Sequence, residues 1–345
     1  MNKRPILRGA FIALLCFISF GMSLLVPGNS IQAASPSQVI SSGSLAPSVA
    51  STNKEQAYWT PARMQSALSS DLLLSSAKPG PQVLGATGPA QSQAPTAPKK
   101  ALTAKAVVTP AKVNSSVAQV LGYPYAYPYS TVGKVFFTDP ATRLNYQCSG
   151  TLINSKNLST VDTAGHCVAA GGGQRFYTNW AYCAQYYNGC ASGYLWAART
   201  LWTNTNWYNK GWFAYDYGAA VLSPNTHGYA VNFIGGAGWA YNQSYNQTFY
   251  AFGFPAEAPF DGSRLWYCPS TRYTYDTPSS GPTALSITCN MNGGSSGGGW
   301  LISVGGSFGY VNGHNDYTYS NDLYHMYSPY YGSDWFNVFN TAQNS

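Results

Sequence analysis

From about Ala118 onward, short runs of β-branched and aromatic residues alternate with clusters of Gly, Asn and Pro. The runs are Lys134–Thr138, Tyr146–Ile153, Leu195–Trp202, Gly218–Leu222, Phe249–Phe254, Ala284–Cys289, Trp300–Val304 and Phe308–Asn312. Runs of this length and texture, bounded by turn residues, predict strands. The last segment differs: Ser333 is placed to N-cap a helix that carries Trp335, Val338 and Phe339 on one face. Many strands and one terminal helix predict an all-β sandwich or barrel fold of roughly 225 residues, enough for one or two barrels.

The chain before Ala118 has no such pattern. Residues 34–118 are rich in Ser, Ala, Pro and Lys and hold few bulky apolar side chains. Such a stretch buries too little surface to offset its ordering entropy, which predicts a disordered propeptide or linker. A short helix around Gln56–Asp71 is the one local exception. Residues 1–33 read as a signal peptide. Lys3, Arg4 and Arg8 precede an apolar run from Ala10 to Val26, and cleavage is expected after Ala33 or Ala34. No membrane association is expected once that segment is removed. The domain expected to carry the function is 119–345.

Composition sharpens this picture. Charged residues make up 8% and aromatics 15% of the chain, which suits a secreted β-rich protein. The net charge of +7 invites a nucleic-acid reading, but its distribution removes it. From Ser115 onward there are 8 Lys and Arg against 9 Asp and Glu, while residues 1–114 hold 10 basic and 2 acidic residues. The basicity belongs to the leader, so no phosphate-binding stripe is implied in the body. Beyond the leader's Cys16 the chain has six cysteines, an even count that suggests three disulfides in an exported protein. No C-x-x-C pair and no carboxylate cluster points to a metal, and no cofactor is implied.

Three segments carry candidate chemistry. Thr163-Ala164-Gly165-His166-Cys167 places an imidazole, whose pKa lies near neutrality, between a Gly and a cysteine. Residues 293–299, GGSSGGG, surround Ser295 and Ser296 with glycines that let the backbone turn and present amides to a developing oxyanion. Asp216 leads into the apolar run Tyr217–Leu222. Each alone has a bland reading: a packed His, a flexible loop, a turn-ending Asp. Together they run His, Asp, Ser, spaced by 50 and 80 residues.

That order, with Cys148-Ser149-Gly150-Thr151-Leu152-Ile153 upstream of TAGHC and a GGSSGG run in place of GDSGG, resembles the trypsin-like serine proteases of the chymotrypsin fold, as found among secreted bacterial peptidases. The resemblance covers about residues 130–345. It implies two six-stranded antiparallel β-barrels with a C-terminal helix. It also implies a secreted, extracellular and monomeric serine endopeptidase acting on protein or peptide substrates, without nucleic acid. His166 is then the general base, Asp216 its orienting partner and Ser296 the nucleophile, with the N–H groups of Gly294 and Ser296 as oxyanion hole. Ser296 is preferred over Ser295 because its flanking glycines match the motif. Activity is expected to rise as His166 loses its proton, near an ordinary pKa of about 6.5. The resemblance further suggests a Cys148–Cys167 disulfide, with Cys183–Cys190 and Cys268–Cys289 following by proximity.

Two departures matter. The position before the nucleophile, an Asp in trypsin-like zymogens that receives a new N-terminal amine, is the neutral Ser295. Trypsin's basic-specificity Asp is replaced by Asn290, followed by Met291. With Val311-Asn312-Gly313-His314 taken as the pocket wall, Asn312 is expected to bond Asp216 and His314 is a candidate receptor for acidic side chains. Two other functions remain open: an inactive trypsin-fold binding protein, and a carbohydrate-binding or adhesive β-protein suggested by aromatic clusters such as Trp202–Tyr208. Those aromatics also suit barrel cores and rims.

Overall fold

The computed structural model describes residues 39–41, 49–70, 73–74, 85–86, 88–99, 117–120, 126–173 and 175–345. The expected signal segment, 1–33, lies outside them. Among the described residues no helix is long and apolar enough to cross a membrane.

Six strands form the first barrel: β1 (Val132–Thr138), β2 (Asn145–Leu152), β3 (Thr160–Ala164), β4 (Thr178–Ala184), β5 (Leu195–Asn204) and β6 (Tyr217–Leu222). All pairings are antiparallel in the circular order β1-β2-β3-β6-β5-β4, and β4 returns to β1. Closure gives each strand of the ring two antiparallel neighbours. The period-two alternation of a strand sorts its side chains. On β1, Val135 and Phe137 join Trp180, Tyr182, Trp196 and Leu201 in one core, while Phe136 between them faces a second core with Phe252, Leu301 and Trp335.

The second six are β7 (Thr248–Gly253), β8 (Trp266–Asp276), β9 (Ala284–Thr288), β10 (Gly299–Val304), β11 (Ser307–His314) and β12 (His325–Ser328). Their antiparallel order is β12-β9-β8-β7-β10-β11. The seam closes just past β11, where the Asp316 N–H donates to Tyr327 O and the Tyr327 N–H to Tyr317 O, both at 3.0 Å. Phe249, Leu285, Ile287, Trp300 and Ile302 fill this barrel. The strand Gly238–Tyr241 adds to β11 in parallel. This is the chymotrypsin fold, two barrels with a helix at the end.

The terminal helix spans Ser333–Gln343 with Trp335, Val338 and Phe339 buried, as the periodicity requires. Its N-cap is Gly332 rather than Ser333, and no side chain caps it. Trp335 Nε1 donates to Asp162 Oδ1 of β3 at 2.7 Å, and the Tyr331 hydroxyl donates to Oδ2 at 2.6 Å. Burial raises Asp162 to about 7 despite these two donors. Three disulfides, Cys148–Cys167, Cys183–Cys190 and Cys268–Cys289, staple the barrels in the expected pairing.

The expected disordered stretch contains ordered pieces. Helices Val49–Tyr58 and Pro61–Gln65 flank Trp59, which is buried with Met64 and Ala67 in the core shared by both barrels. Thr60 caps the second helix by accepting from the Arg63 N–H at 3.3 Å. Leu68–Ser69 then runs parallel to β2, opposite Tyr146 and Gln147. Leu73–Leu74 runs parallel to Thr318–Tyr319, and Gln91–Gln93 pairs with Gly238–Tyr241. Composition misses this because, among the described residues of the segment, Trp59, Met64 and Ala67 are buried in a core built elsewhere and the short strands take backbone partners from strand edges.

Candidate active site

His166 sits in a single 3₁₀ turn, Gly165–Cys167, at the end of β3, and Cys167 is tied to Cys148 of β2. Asp216 follows a second 3₁₀ turn, Phe213–Tyr215, and leads into β6. Because β3 and β6 are paired, with Tyr217 opposite Ala164, the two turns lie side by side. The His166 N–H donates to Asp216 Oδ1 at 2.7 Å, and His166 Nδ1 lies 2.8 Å from Oδ2. A carboxylate facing Nδ1 fixes the proton there, so Nε2 is the acceptor nitrogen of the neutral ring. Nε2 is buried and makes no hydrogen bond among the described residues.

Gly165 is required by this close approach. A Cβ there would sit 2.5 Å from Asp216 Oδ1 and 2.8 Å from Trp207 Cδ1. Gly165→Ala is therefore expected to push Asp216 off His166. It should lower kcat/KM on a peptide substrate by about tenfold or more, and stability by about 1–3 kcal/mol, read as the denaturation midpoint.

Ser296 lies in the turn before β10. Ser149 of β2 grips this turn twice: its N–H donates to Ser296 O at 2.8 Å and its hydroxyl to Gly294 O at 2.9 Å. Gly297, at φ +79°, packs against the end of β3, where a Cβ would meet Ala164 N at 2.8 Å. The Ser296 carbonyl oxygen is 3.6 Å from Cys167 Sγ, beside His166. No hydrogen bond joins Ser296 to His166 Nε2, a contact that often tightens only with substrate. Among the described residues neither the Gly294 nor the Ser296 N–H is spent internally, whereas the Ser295 N–H bonds Asn292 O at 3.0 Å. Ser295 points inward: its hydroxyl is buried and unpartnered, and its carbonyl accepts from Asn315 Nδ2 at 3.1 Å.

A scan against protein-family models and a search of curated proteins matched nothing. Solved structures did match. AL20, a thermostable serine protease from an extremophilic microorganism, is 37% identical with a TM-score of 0.57; the match covers 63% of this chain and 98% of that one. The protease Anisep from Arthrobacter nicotinovorans is 36% identical with a TM-score of 0.57, over 63% of this chain and 96% of its own. The chain belongs to the bacterial trypsin-like serine proteases. A Glu endopeptidase, at 16% identity and TM-score 0.53 over 68% of this chain and 99% of that one, shares the fold.

In this serine protease the expected pocket residues are placed differently. Asn312 does not reach Asp216; its amide donates to Ala240 O at 2.9 Å, because β11 turns it toward the neighbouring strand. His314 is fully buried, with Nδ1 2.8 Å from the Tyr331 hydroxyl. Burial outweighs the nearby Asp216 charge and lowers its pKa to about 3, so it stays neutral and cannot receive an acidic side chain as a cation. Met291 packs in the second barrel's core, and Asn290 Oδ1 accepts the Ala118 N–H at 2.7 Å.

The group that does sit beside the pair is Asp316, which no motif announced. Its Oδ1 is 3.5 Å from His166 Nδ1. The heteroatoms of His166, Asp216 and Asp316 lie within 4.8 Å of one another, but the Nδ1 facing the two acids carries a proton and offers no lone pair to a cation. Burial pulls the His166 pKa down, and the adjacent Asp216 carboxylate, the largest opposing influence, leaves it raised.

Proposed function

We propose that this serine protease is a secreted endopeptidase acting through His166, Asp216 and Ser296 by an acyl-enzyme route. The observation that carries the reading is the 2.8 Å His166–Asp216 contact, with His166 Nε2 buried and unengaged next to the Ser296 turn. Ser296 Oγ attacks the scissile carbonyl carbon while its proton passes to Nε2. The oxyanion is met by the N–H groups of Gly294 and Ser296, both otherwise unspent among the described residues. The imidazolium gives its proton to the leaving amine. Water then repeats the sequence on the ester, freeing the acid and Ser296. Asp216 stabilises the imidazolium throughout. Three disulfides suit an oxidising, extracellular setting, and the leader suits export.

Residues 34–118 are proposed as a propeptide. Its pieces flank the site: Ser69 lies opposite Gln147, next to Cys148, while Leu73 lies opposite Thr318, two residues beyond Asp316. The raised His166 pKa adds a pH prediction. Activity requires the neutral ring, so kcat/KM should rise with pH along a limb above 6.5, the ordinary value, and Asp216→Asn should move the limb down. The deciding experiment is a fluorophosphonate probe on protein freed of its leader. It should label wild type and leave Ser296→Ala unlabelled; an unlabelled wild type rejects the reading.

A further inference from the structure

Asp316 poses a charge problem. It is 1% exposed, and neither of its oxygens receives an N–H or O–H donor among the described residues. It shares its pocket with Asp216 and one imidazole. Two carboxylates this close in a dry site cannot both be ionised, so one holds a proton. The choice follows from their partners. Asp216 accepts from the His166 N–H and faces Nδ1, both of which favour its anion. Asp316 has neither. Burial, and then the Asp216 charge, hold Asp316 well above the ordinary carboxylate range, against the opposing pull of His166.

The other ionisable groups around it do not change this. Tyr317 donates to Asp276 at 2.7 Å, Tyr331 to Asp162 at 2.6 Å, and Tyr217 to Tyr330 O at 2.7 Å. His314 is neutral. None brings a second cation to the pocket. The position of Asp316 is also fixed by the nucleophile turn. Asn315 just before it accepts from the Gly297 N–H at 2.7 Å and donates through its own N–H to Gly298 O at 2.9 Å.

We infer that Asp316 is a positioning residue for the reaction: a neutral carboxylic acid that donates its O–H to Asp216, holding that carboxylate in line with His166 and joining it to the Ser296 turn. Only one negative charge then faces the imidazole. This rests on the triad reading above. Asp316→Asn keeps a donor and changes no charge, whereas Asp316→Ala removes the donor.

The test is the pH profile of kcat and kcat/KM for the wild type and both variants, each produced as the full chain and assayed after maturation. Asp316→Asn should keep kcat within about threefold and leave the acid limb in place. Asp316→Ala should lose about tenfold to a hundredfold in kcat with little change in KM. An acid limb that drops by a pH unit or more in Asp316→Asn means an ionised Asp316 and overturns the inference. So does an Asn variant as impaired as the Ala variant. Infrared spectroscopy gives a readout independent of activity and of the Ala variant's folding. The wild-type minus Asp316→Asn difference spectrum at neutral pH should show a protonated-carboxyl C=O band, the subtraction removing any band of Asp162; a difference spectrum without it refutes the proposal. A wild type that shows the band but resists the fluorophosphonate fails the triad reading instead.

Discussion

Ser296→Ala is expected to lower kcat on a chromogenic peptide by roughly a millionfold while KM stays within a few-fold. The size follows from how the three residues act. The imidazole has no proton to take once the hydroxyl is gone, so His166 and Asp216 lose their function together with Ser296. What survives is binding and oxyanion stabilisation, about 10³–10⁴ over water. The neighbour supplies the control. Ser295 has its hydroxyl buried without a partner and its carbonyl held by Asn315. Ser295→Ala should therefore stay within about tenfold of wild type, since it removes one buried, unsatisfied hydroxyl. If Ser295→Ala abolished turnover and Ser296→Ala did not, the nucleophile would have been misassigned by one residue.

Removal of the leader is expected to raise activity by about tenfold to a thousandfold. Trp59 and Met64 anchor it in the core, Ser70 N–H donates to Gln147 O at 3.1 Å, and Gln147 Nε2 returns a bond to Ala67 O at 2.8 Å. These contacts sit on β2 beside Cys148, while Leu73–Leu74 occupies the edge at Thr318–Tyr319. A tethered segment acts at an effective concentration of order millimolar, which outcompetes peptide substrates supplied at micromolar levels. Initial rates of the intact chain, set against chain trimmed by an unrelated protease, give the factor directly. The same leader added as a separate peptide should inhibit competitively. Equal rates for intact and trimmed protein would rule out masking.

How much was legible depended on whether a feature is local in sequence. His166 announces itself through its immediate neighbours, and the glycines around Ser296 through theirs. The disulfides followed once Cys148 and Cys167 were recognised as flanking that motif. The strands Thr160–Ala164 and Thr178–Ala184 were passed over because TVDTA and TNWAYCA mix polar and apolar residues without alternation; closure of the barrel, not local propensity, makes them strands. Asp316 was invisible for a related reason. Its neighbourhood is set by β12 arriving at Tyr327, eleven residues later, and by a turn that begins twenty residues earlier. The anchoring of Trp59 was not legible because its partner surface includes Asn179, whose carbonyl accepts the indole N–H at 2.6 Å.

The bonds from Tyr331 and Trp335 to Asp162 span 169 and 173 residues. Asp162 lies four residues before His166, and among the described residues these two are the donors its carboxyl receives in the barrel wall. At about 5–20 residues per second, those two donors leave the ribosome roughly ten to thirty seconds after the strand they complete. Throughout that interval the strand carrying the base is unfinished. That strand is therefore completed only after the Ser296 turn has itself been synthesised, so His166 is set in its final surroundings after both of its expected partners exist in the chain.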